Sequence, residues 1–341
     1  MDDADARDII EVVPAEHARY RAGSMFAGIG GICLAFKNAG AEIVWANEID
    51  QHACKTYQKN FGSDYLVEGD IKKIEAESVP DMDILTAGFP CQAFSVAGHR
   101  RGFEDERGIL FFEIMRLIDA KKPRAIFLEN VKNLVGHDNG RTFENILCCL
   151  GDSGYISRHE VFNTKEYGNI PQNRERTYVV AFRNQEDDRN FKFPDPVPLD
   201  KKIHDIIDIS SKKDESFYYG QDWLHYDKLK ESMVNKGTVY QWRRTYVREN
   251  KNSVCPTLTA NMGTGGHNVP LVIDDFGFRK LTPSECLRFQ GFPSDFGFAK
   301  ISRSQMYKQA GNSVSVPVVQ RIAEEMIFAM KKTDLEVDLD E

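Results

Sequence analysis

The chain has 341 residues, of which 41% are hydrophobic and 28% charged, and carries a formal net charge of −8. That length suits one large α/β unit or a large domain carrying a smaller one, and the composition excludes a disordered or fibrous chain. No segment reaches the roughly 18 apolar residues of a membrane span, the acidic start Met1 to Glu16 lacks a signal-peptide core, and seven cysteines without a C-x-x-C pair suggest neither a disulfide framework nor a zinc cluster, so a cytoplasmic chain with reduced thiols and no metal is expected.

In chain order, a short strand ending at Met25 meets Phe26-Ala27-Gly28-Ile29-Gly30-Gly31 and then an apolar helix, Ile32 to Asn38. Strand, glycine loop and helix in that order suit a nucleotide-type cofactor, because glycine lets the backbone approach a ligand closely. A strand over Ile43 to Ala46 leads to Glu48, 20 residues beyond Gly28, about where an acidic residue normally holds ribose hydroxyls. A dinucleotide fingerprint needs a third glycine where Cys33 stands, which disfavours a nicotinamide cofactor. A tight turn without a ligand is the plainer alternative.

Ile84 to Ala87 reads as another strand, and Gly88-Phe89-Pro90-Cys91-Gln92 follows at the C-terminal edge, where open α/β sheets place their ligands. A lone cysteine is more often a small buried apolar group than a nucleophile. A thiol with its ordinary pKa of about 8.5 would need activation by a base, a cation or a polarised substrate. The segment Ser95 to Gly108, with three glycines and His99-Arg100-Arg101, is either a solvated turn or a mobile loop. Apolar residues from Ile109 to Ile118 recur at helical spacing until Lys121-Lys122-Pro123 stops them. The strand Ala125 to Glu129 then brings Glu129-Asn130-Val131 to the same edge as the thiol. Gln172-Asn173-Arg174-Glu175-Arg176 enters a further strand, Tyr178 to Phe182, and its guanidinium groups could face either the crevice or solvent. Strands alternating with helices predict a doubly wound, mostly parallel sheet.

After Phe182, Pro194, Pro196 and Pro198 introduce a polar, less periodic stretch. The expected organisation is a catalytic and cofactor-binding domain over 1–194, a smaller domain over 195–279, a hinge over 280–306, and a terminal helix in 307–341 that completes the first domain. Lys236, Arg243, Arg244, Arg248 and Lys251 concentrate positive charge in the smaller domain of this acidic chain. Pro317 opens a helix whose stripe Val318, Val319, Ile322, Ala323, Met326, Ile327 faces a core, and the tail from Lys331 is expected to fray.

The ordered set Phe26-Ala27-Gly28-x-Gly30-Gly31, Pro90-Cys91, Glu129-Asn130-Val131, Gln172-x-Arg174-x-Arg176 and Gly311-Asn312-Ser313-Val314 resembles the cytosine-C5 DNA methyltransferase family of the bacterial restriction-modification type. Asn47-Glu48, Gly69-Asp70-Ile71, Arg279 to Pro283 and Arg288 to Pro293 extend the resemblance from about Ser24 to Ile327. It implies a Rossmann-like, S-adenosylmethionine-dependent methyltransferase domain with an inserted target-recognition domain over 195–279. The implied reaction turns S-adenosylmethionine into S-adenosylhomocysteine while methylating a flipped-out cytosine in double-stranded DNA.

In that chemistry a thiolate adds to cytosine C6, making C5 nucleophilic. The resemblance assigns this to Cys91, with Pro90, Glu129, Asn130, Arg174 and Arg176 completing the catalytic set. Glu129 would contact N3 and the exocyclic amine, best as a protonated acid, and Arg176 would help hold the ring. The cofactor would meet Phe26, Gly28, Ile29, Gly30, Gly31, Glu48, Ile49, Asp70, Ile71, Pro90, Asn312 and Ser313, with Phe26 stacking on adenine. DNA would meet Gln92, Ser95, Arg101, Gln241, Trp242, Arg243, Arg244, Arg248, Thr257 and Gly265, since amide and guanidinium groups read guanine edges and grip phosphate. A monomer that functions beside a restriction endonuclease is implied. The rivals are a tRNA cytosine-C5 methyltransferase and a catalytically silent DNA-binding relative.

Overall fold

The computed structural model describes residues 20–89, 109–264 and 268–340. The readings of Met1 to Glu16, Pro90, Cys91, Gln92, Ser95, Arg101, the remainder of the Ser95 to Gly108 loop, and Gly265 lie outside them.

A seven-stranded sheet organises the larger part of the chain. Its strands are β1 (Arg21–Met25), β2 (Glu42–Glu48), β3 (Leu66–Glu68), β4 (Ile84–Gly88), β5 (Ala125–Val131), β6 (Ile156–Asn163) and, beyond the two-residue β7 (Gln172–Asn173), β8 (Glu175–Phe182). The spatial order is β3-β2-β1-β4-β5-β8-β6, parallel throughout except for β8, which runs against both neighbours. The order reverses beside β1, so the C-terminal ends of β1, β2, β4 and β5 open on one crevice. Because β8 is antiparallel, it is its beginning, at Arg176, that reaches this edge.

Period-two alternation divides the sheet residues between two cores. Ala125 and Phe127 of β5 face a core shared with α1 (Gly31–Asn38), α2 (Gln51–Phe61) and the C-terminal helix Val316–Asp340. Ile126 and Leu128 face the opposite core, with α3 (Ile109–Lys121) and α4 (Arg141–Asp152). Burial on both faces explains why β4 and β5 read as continuous apolar runs.

β9 (Tyr240–Arg243), β10 (Tyr246–Glu249), β12 (Leu271–Asp274) and β13 (Gly277–Lys280) form a second sheet in the order β10-β9-β12-β13. Its own small core contains Leu229, Met233, Tyr240, Trp242, Val247 and Leu271. Other residues of 195–279 belong to the larger core, among them Ile203, Ile206, Leu258 and Met262. β11 (Cys255–Pro256) pairs with β7, joining this segment to the one that leads into β8. The segment therefore divides between two cores.

The expected fraying from Lys331 is corrected, because the helix Val316–Asp340 continues through the tail. Arg124 reaches Met330 O at 3.0 Å and Asp334 at 2.6 Å, Tyr20 donates to Asp334 at 2.5 Å, and Asn190 donates to Thr333 at 3.2 Å. These contacts hold the helix against the sheet domain as far as Asp334.

Candidate active site

The loop after β1 is shaped by backbone geometry that glycine permits. Gly28 and Gly30 have φ of 58° and 91°, and Phe26 itself sits at φ 54°. A side chain on Gly30 would strike the ring of Phe61, whereas nothing lies within 4 Å of where a Cβ of Gly28 would stand. Gly28 thus presents bare backbone, and its N–H donates to Glu48 Oε2 at 2.7 Å. Glu48 Oε1 accepts from the N–H groups of Ile49 and Asp50 at 2.9 and 2.7 Å. The end of β2 and the glycine loop are locked together around one carboxylate.

Asp50 caps α2, its Oδ1 accepting from His52 and Ala53, while its Oδ2 meets Lys308 Nζ at 2.7 Å. Burial alone would raise the Asp50 carboxyl. The hydrogen bonds from Lys308 and from the backbone of Ala53 and His52 outweigh it and hold the group below its ordinary value.

At the ends of β4 and β5, Asn130 Nδ2 donates to Phe89 O at 2.9 Å and Asn130 Oδ1 accepts from Val131 N at 2.8 Å. The side chain fixes the course of the chain one residue before Pro90-Cys91. Glu129, 9% exposed, lies at the same edge, and Arg176 Nε stands 3.2 Å from its Oε1.

Arg174, expected in the catalytic set, is buried, and its guanidinium is engaged by backbone carbonyls. It donates to Leu258 O at 2.8 Å, to Gly311 O at 3.4 Å, and to Ser313 O. Burial and then the neighbouring Arg176 push its ionisation downward. Gln172 donates to Phe289 O at 2.6 Å and accepts from Leu258 N at 3.2 Å, and Gln290 donates to Ala310 O at 3.0 Å. A buried polar network thus ties together four segments distant in sequence.

One cavity of about 350 Å³ collects most of these groups. Phe26, Gly28, Ile29, Gly31, Glu48, Asn312 and Ser313 line it together with Glu129, Asn130, Arg174 and Arg176. Its volume is in the range of small-molecule sites. Four expected cofactor residues are not on its wall. Gly30 packs on Phe61, Ile49 is 63% exposed, Asp70 caps the turn Ile71–Lys73, and Ile71 is buried in the α3 core. Asp50, Lys308 and Gln309 line the cavity but escape sequence reasoning. The one available signal was the position of Lys308 and Gln309 just before Gly311-Asn312-Ser313.

In the second sheet, β9 and β10 pair with Gln241 opposite Arg248 and Trp242 opposite Val247. Arg243 and Arg248 both donate to Gln241 Oε1, so the three share the outer face, and Arg244 occupies the turn with φ 47°. Trp242 corrects the expectation of a DNA contact: it is 4% exposed, donates through Nε1 to Arg244 O at 3.1 Å, and stacks on His225. Alternation along β9 turns it inward when its neighbours turn out. The Thr257 hydroxyl is already engaged, donating to Asn173 O at 2.6 Å.

Among the described residues, no cluster of three or more His, Cys, Asp or Glu could hold a metal ion, and no helix is long and apolar enough to cross a membrane.

The family model for C-5 cytosine-specific DNA methylase matches residues 20–328. The chain is 58% identical over 310 residues to the type II methyltransferase M.Bsp6I of Bacillus sp. (strain RFL6), a match covering 90% of this chain and 98% of that one. It is 39% identical over 327 residues to M.HhaI of Haemophilus parahaemolyticus, covering 92% and 96% respectively. The crystal structure of the S. pombe Dnmt2 methyltransferase superposes with a TM-score of 0.71 at 23% identity, over 91% of this chain and 98% of that one, which is a likeness of fold. With its sheet, its glycine loop and its carboxylate-lined cavity, the chain belongs to the C-5 cytosine-specific DNA methylase family.

Proposed function

We propose that this protein methylates C5 of a flipped-out cytosine within a specific sequence of duplex DNA, as the modification enzyme paired with a restriction endonuclease. The observation that supports this most is the single cavity, which joins a glycine loop and anchored carboxylate to a Glu–Arg pair at the edge where the chain leaves toward Cys91. The names of the relatives, type II methyltransferases, support the pairing with an endonuclease.

The residues on the cavity suit S-adenosylmethionine. Gly28 offers open backbone, and the Glu48 carboxylate is oriented by three N–H donors before any ligand arrives. Phe26, Gly28, Ile29, Gly31, Glu48, Asn312 and Ser313 would hold the cofactor, which supplies an electrophilic methyl group when bound.

Cytosine C5 is a weak nucleophile, and addition of the Cys91 thiolate to C6 makes it an enamine carbon able to take a methyl group. Loss of the C5 proton to a base and expulsion of the Cys91 thiolate from C6 then restore the C5–C6 double bond in a final elimination. Negative charge that develops at N3 is met by a proton shared from Glu129, and Arg176, 3.2 Å from Glu129 Oε1, orients the carboxyl group. Asn130 positions the Phe89 carbonyl and so the approach of Cys91. The base is inaccessible in a duplex, so flipping at a cost of a few kcal/mol precedes chemistry. Gln241, Arg243, Arg244 and Arg248 on the outer face of the β9–β10 hairpin would read base edges or grip phosphate.

Bisulfite sequencing of DNA from a host expressing the chain tests the reaction and reveals the site. Conversion of every cytosine, with no protected position, would overturn it.

A further inference from the structure

A second opening, of about 620 Å³, lies at the edge of the sheet that also carries the active cavity. β6 and β5 both run against β8, so the end of β6 at Asn163 reaches the same edge as Glu129, and Asn163 is paired with Glu175, the residue before Arg176. Lys165 and Asn173 line the opening from the side of the larger sheet, and Arg248 and Lys251 line it from the β9–β10 side. Asn173 and Pro256, paired across β7 and β11, join the two walls. Three cations thus share the lining with one carboxylate, Glu166, which lies 3.3 Å from Lys165, in a chain of net charge −8.

The amide of Asn173 is oriented by its neighbours. Asn163 Oδ1 accepts from the backbone N–H groups of Lys165 and Arg174 at 3.4 and 3.2 Å, which fixes that oxygen. Asn163 Nδ2 is therefore the donor to Asn173 Oδ1, at 2.7 Å. An amide whose oxygen is held in this way keeps its N–H groups for another partner. Asn173 is exposed, and among the described residues its Nδ2 makes no hydrogen bond. Lys251 is exposed as well, without a carboxylate partner among the described residues. It enters from a turn in which Asn252 and Ser253 hold φ of 63° and 50°, a left-handed backbone that is costly for serine and that clusters at ligand sites.

Ammonium groups and an amide N–H offer protons and accept none, so the matching ligand is an anion with several oxygens. Base flipping turns a nucleotide about its backbone, and contacts to phosphate fix the strand on which this happens. We propose that this opening seats a backbone phosphate of the duplex DNA, with Asn173 Nδ2 and the ammonium groups of Lys165 and Lys251 as its donors. This rests on the DNA reading given above. Because the donors come from both sides of the opening, one phosphate ties the strand to the larger sheet and to the recognition hairpin together.

The test is equilibrium binding of the full chain, with S-adenosylhomocysteine present, to a duplex carrying its methylation site, over a series of salt concentrations. Asn173→Asp keeps the acceptor for Asn163 and replaces the free donor by a negative charge, so binding should weaken roughly tenfold or more. Lys165→Ala and Lys251→Ala should each lower the slope of log affinity against log salt by about one. Lys332→Ala, next to Asp334 at the opposite edge of the sheet, should leave that slope as it is. Duplexes with single phosphates replaced by neutral methylphosphonates locate the contact. One such replacement should weaken the wild type and cost Lys251→Ala nothing further. Wild-type affinity and slope in both Asn173→Asp and Lys251→Ala overturn the proposal, as does a Lys251→Ala loss that adds to every methylphosphonate loss alike. If Asn173→Asp fails to fold, Lys251→Ala, an exposed substitution, carries the comparison alone. A wild type that binds tRNA and no duplex overturns the DNA reading itself.

Discussion

Arg176 Nε lies 3.2 Å from Glu129 Oε1, and the two residues reach each other across antiparallel strands in which Val131 is paired with Arg176 and Glu129 with Tyr178. The contact brings the carboxylate and the guanidinium to one point of the cavity although 47 positions separate them in sequence. Replacing Glu129 by Gln keeps the shape and removes the group that can share a proton with N3. General acid-base contributions are typically about 10²- to 10⁴-fold, so turnover should fall by that order while DNA affinity and S-adenosylhomocysteine affinity stay near normal. Single-turnover methyl transfer beside equilibrium binding checks this. Weakened cofactor affinity with normal turnover would reassign Glu129 to the cofactor.

Cys91→Ser should abolish methyl transfer with cofactor binding retained, because an alcohol is scarcely ionised at neutral pH. DNA carrying 5-fluorocytosine should trap the wild-type chain covalently, since the final elimination cannot proceed. Asn130→Ala gives a graded version of the same test. It removes the donor that holds Phe89 O, so the approach of Cys91 loosens and turnover drops without loss of cofactor affinity. Undiminished methylation by Cys91→Ser would remove thiolate addition from the mechanism.

Arg174 is expected to matter for architecture more than for contact with the base. Arg174→Met leaves the carbonyls of Leu258, Gly311 and Ser313 unmade, and buried groups left unmade at about 1–3 kcal/mol each, with partial relaxation, suggest a loss of roughly 2–4 kcal/mol. Arg174→Lys should recover little, because an ammonium lacks the planar fork that serves several acceptors. Urea unfolding of both variants measures this. A stable Arg174→Met with crippled turnover would favour a catalytic role for Arg174.

This contrast shows where sequence reasoning reached and where it stopped. β4 and β5 were legible because burial on both faces leaves an unbroken apolar run, and the glycine loop was legible because few residues tolerate the left-handed backbone it needs. β3 was not, because an edge strand of three residues with a half-exposed pattern has no periodicity to read. The inward face of Trp242 depends on register, which is set by partner strands rather than by local composition. Asp50, Lys308 and Gln309 come to the cavity from two helices, and nothing within either helix announces the other.

The Asp50–Lys308 pair yields a pH prediction whose sign follows from the lowered Asp50 carboxyl. A carboxyl lowered on folding stabilises the folded state above its unfolded value of about 4, and that contribution disappears as pH falls through the lower folded value. Asp50→Asn preserves a good helix cap but not the charge, so wild type and variant should differ at neutral pH and converge in acid. Asp50→Ala also loses the cap and should cost about 1 kcal/mol at every pH. Melting temperatures of the three chains across pH check both statements, and a difference that widened in acid would contradict the ion pair's role.

The last prediction separates specificity from chemistry on the β9–β10 hairpin. Its two faces make opposite forecasts. Trp242→Ala opens the small core and should cost about 3–5 kcal/mol, as for other buried aromatics, with any loss of DNA binding tracking the loss of fold. Arg243→Ala and Arg248→Ala remove exposed groups that share Gln241 Oε1, so stability should hardly change. If either guanidinium reads guanine, its removal relaxes one base position at a cost of about 1–3 kcal/mol. If it grips phosphate, all sequences weaken alike and the salt dependence becomes shallower. Sequencing methylated sites together with salt-titrated binding distinguishes these outcomes. Exchange of the segment from about Asp195 to Arg279 for that of a relative with another site should carry the new specificity while still requiring Cys91 and Glu129. Leu258 O is held by Arg174 and Cys255 N by Pro171 O, backbone contacts that the grafted segment must reproduce to fold. An active graft that still methylated the original sequence would place recognition outside this hairpin.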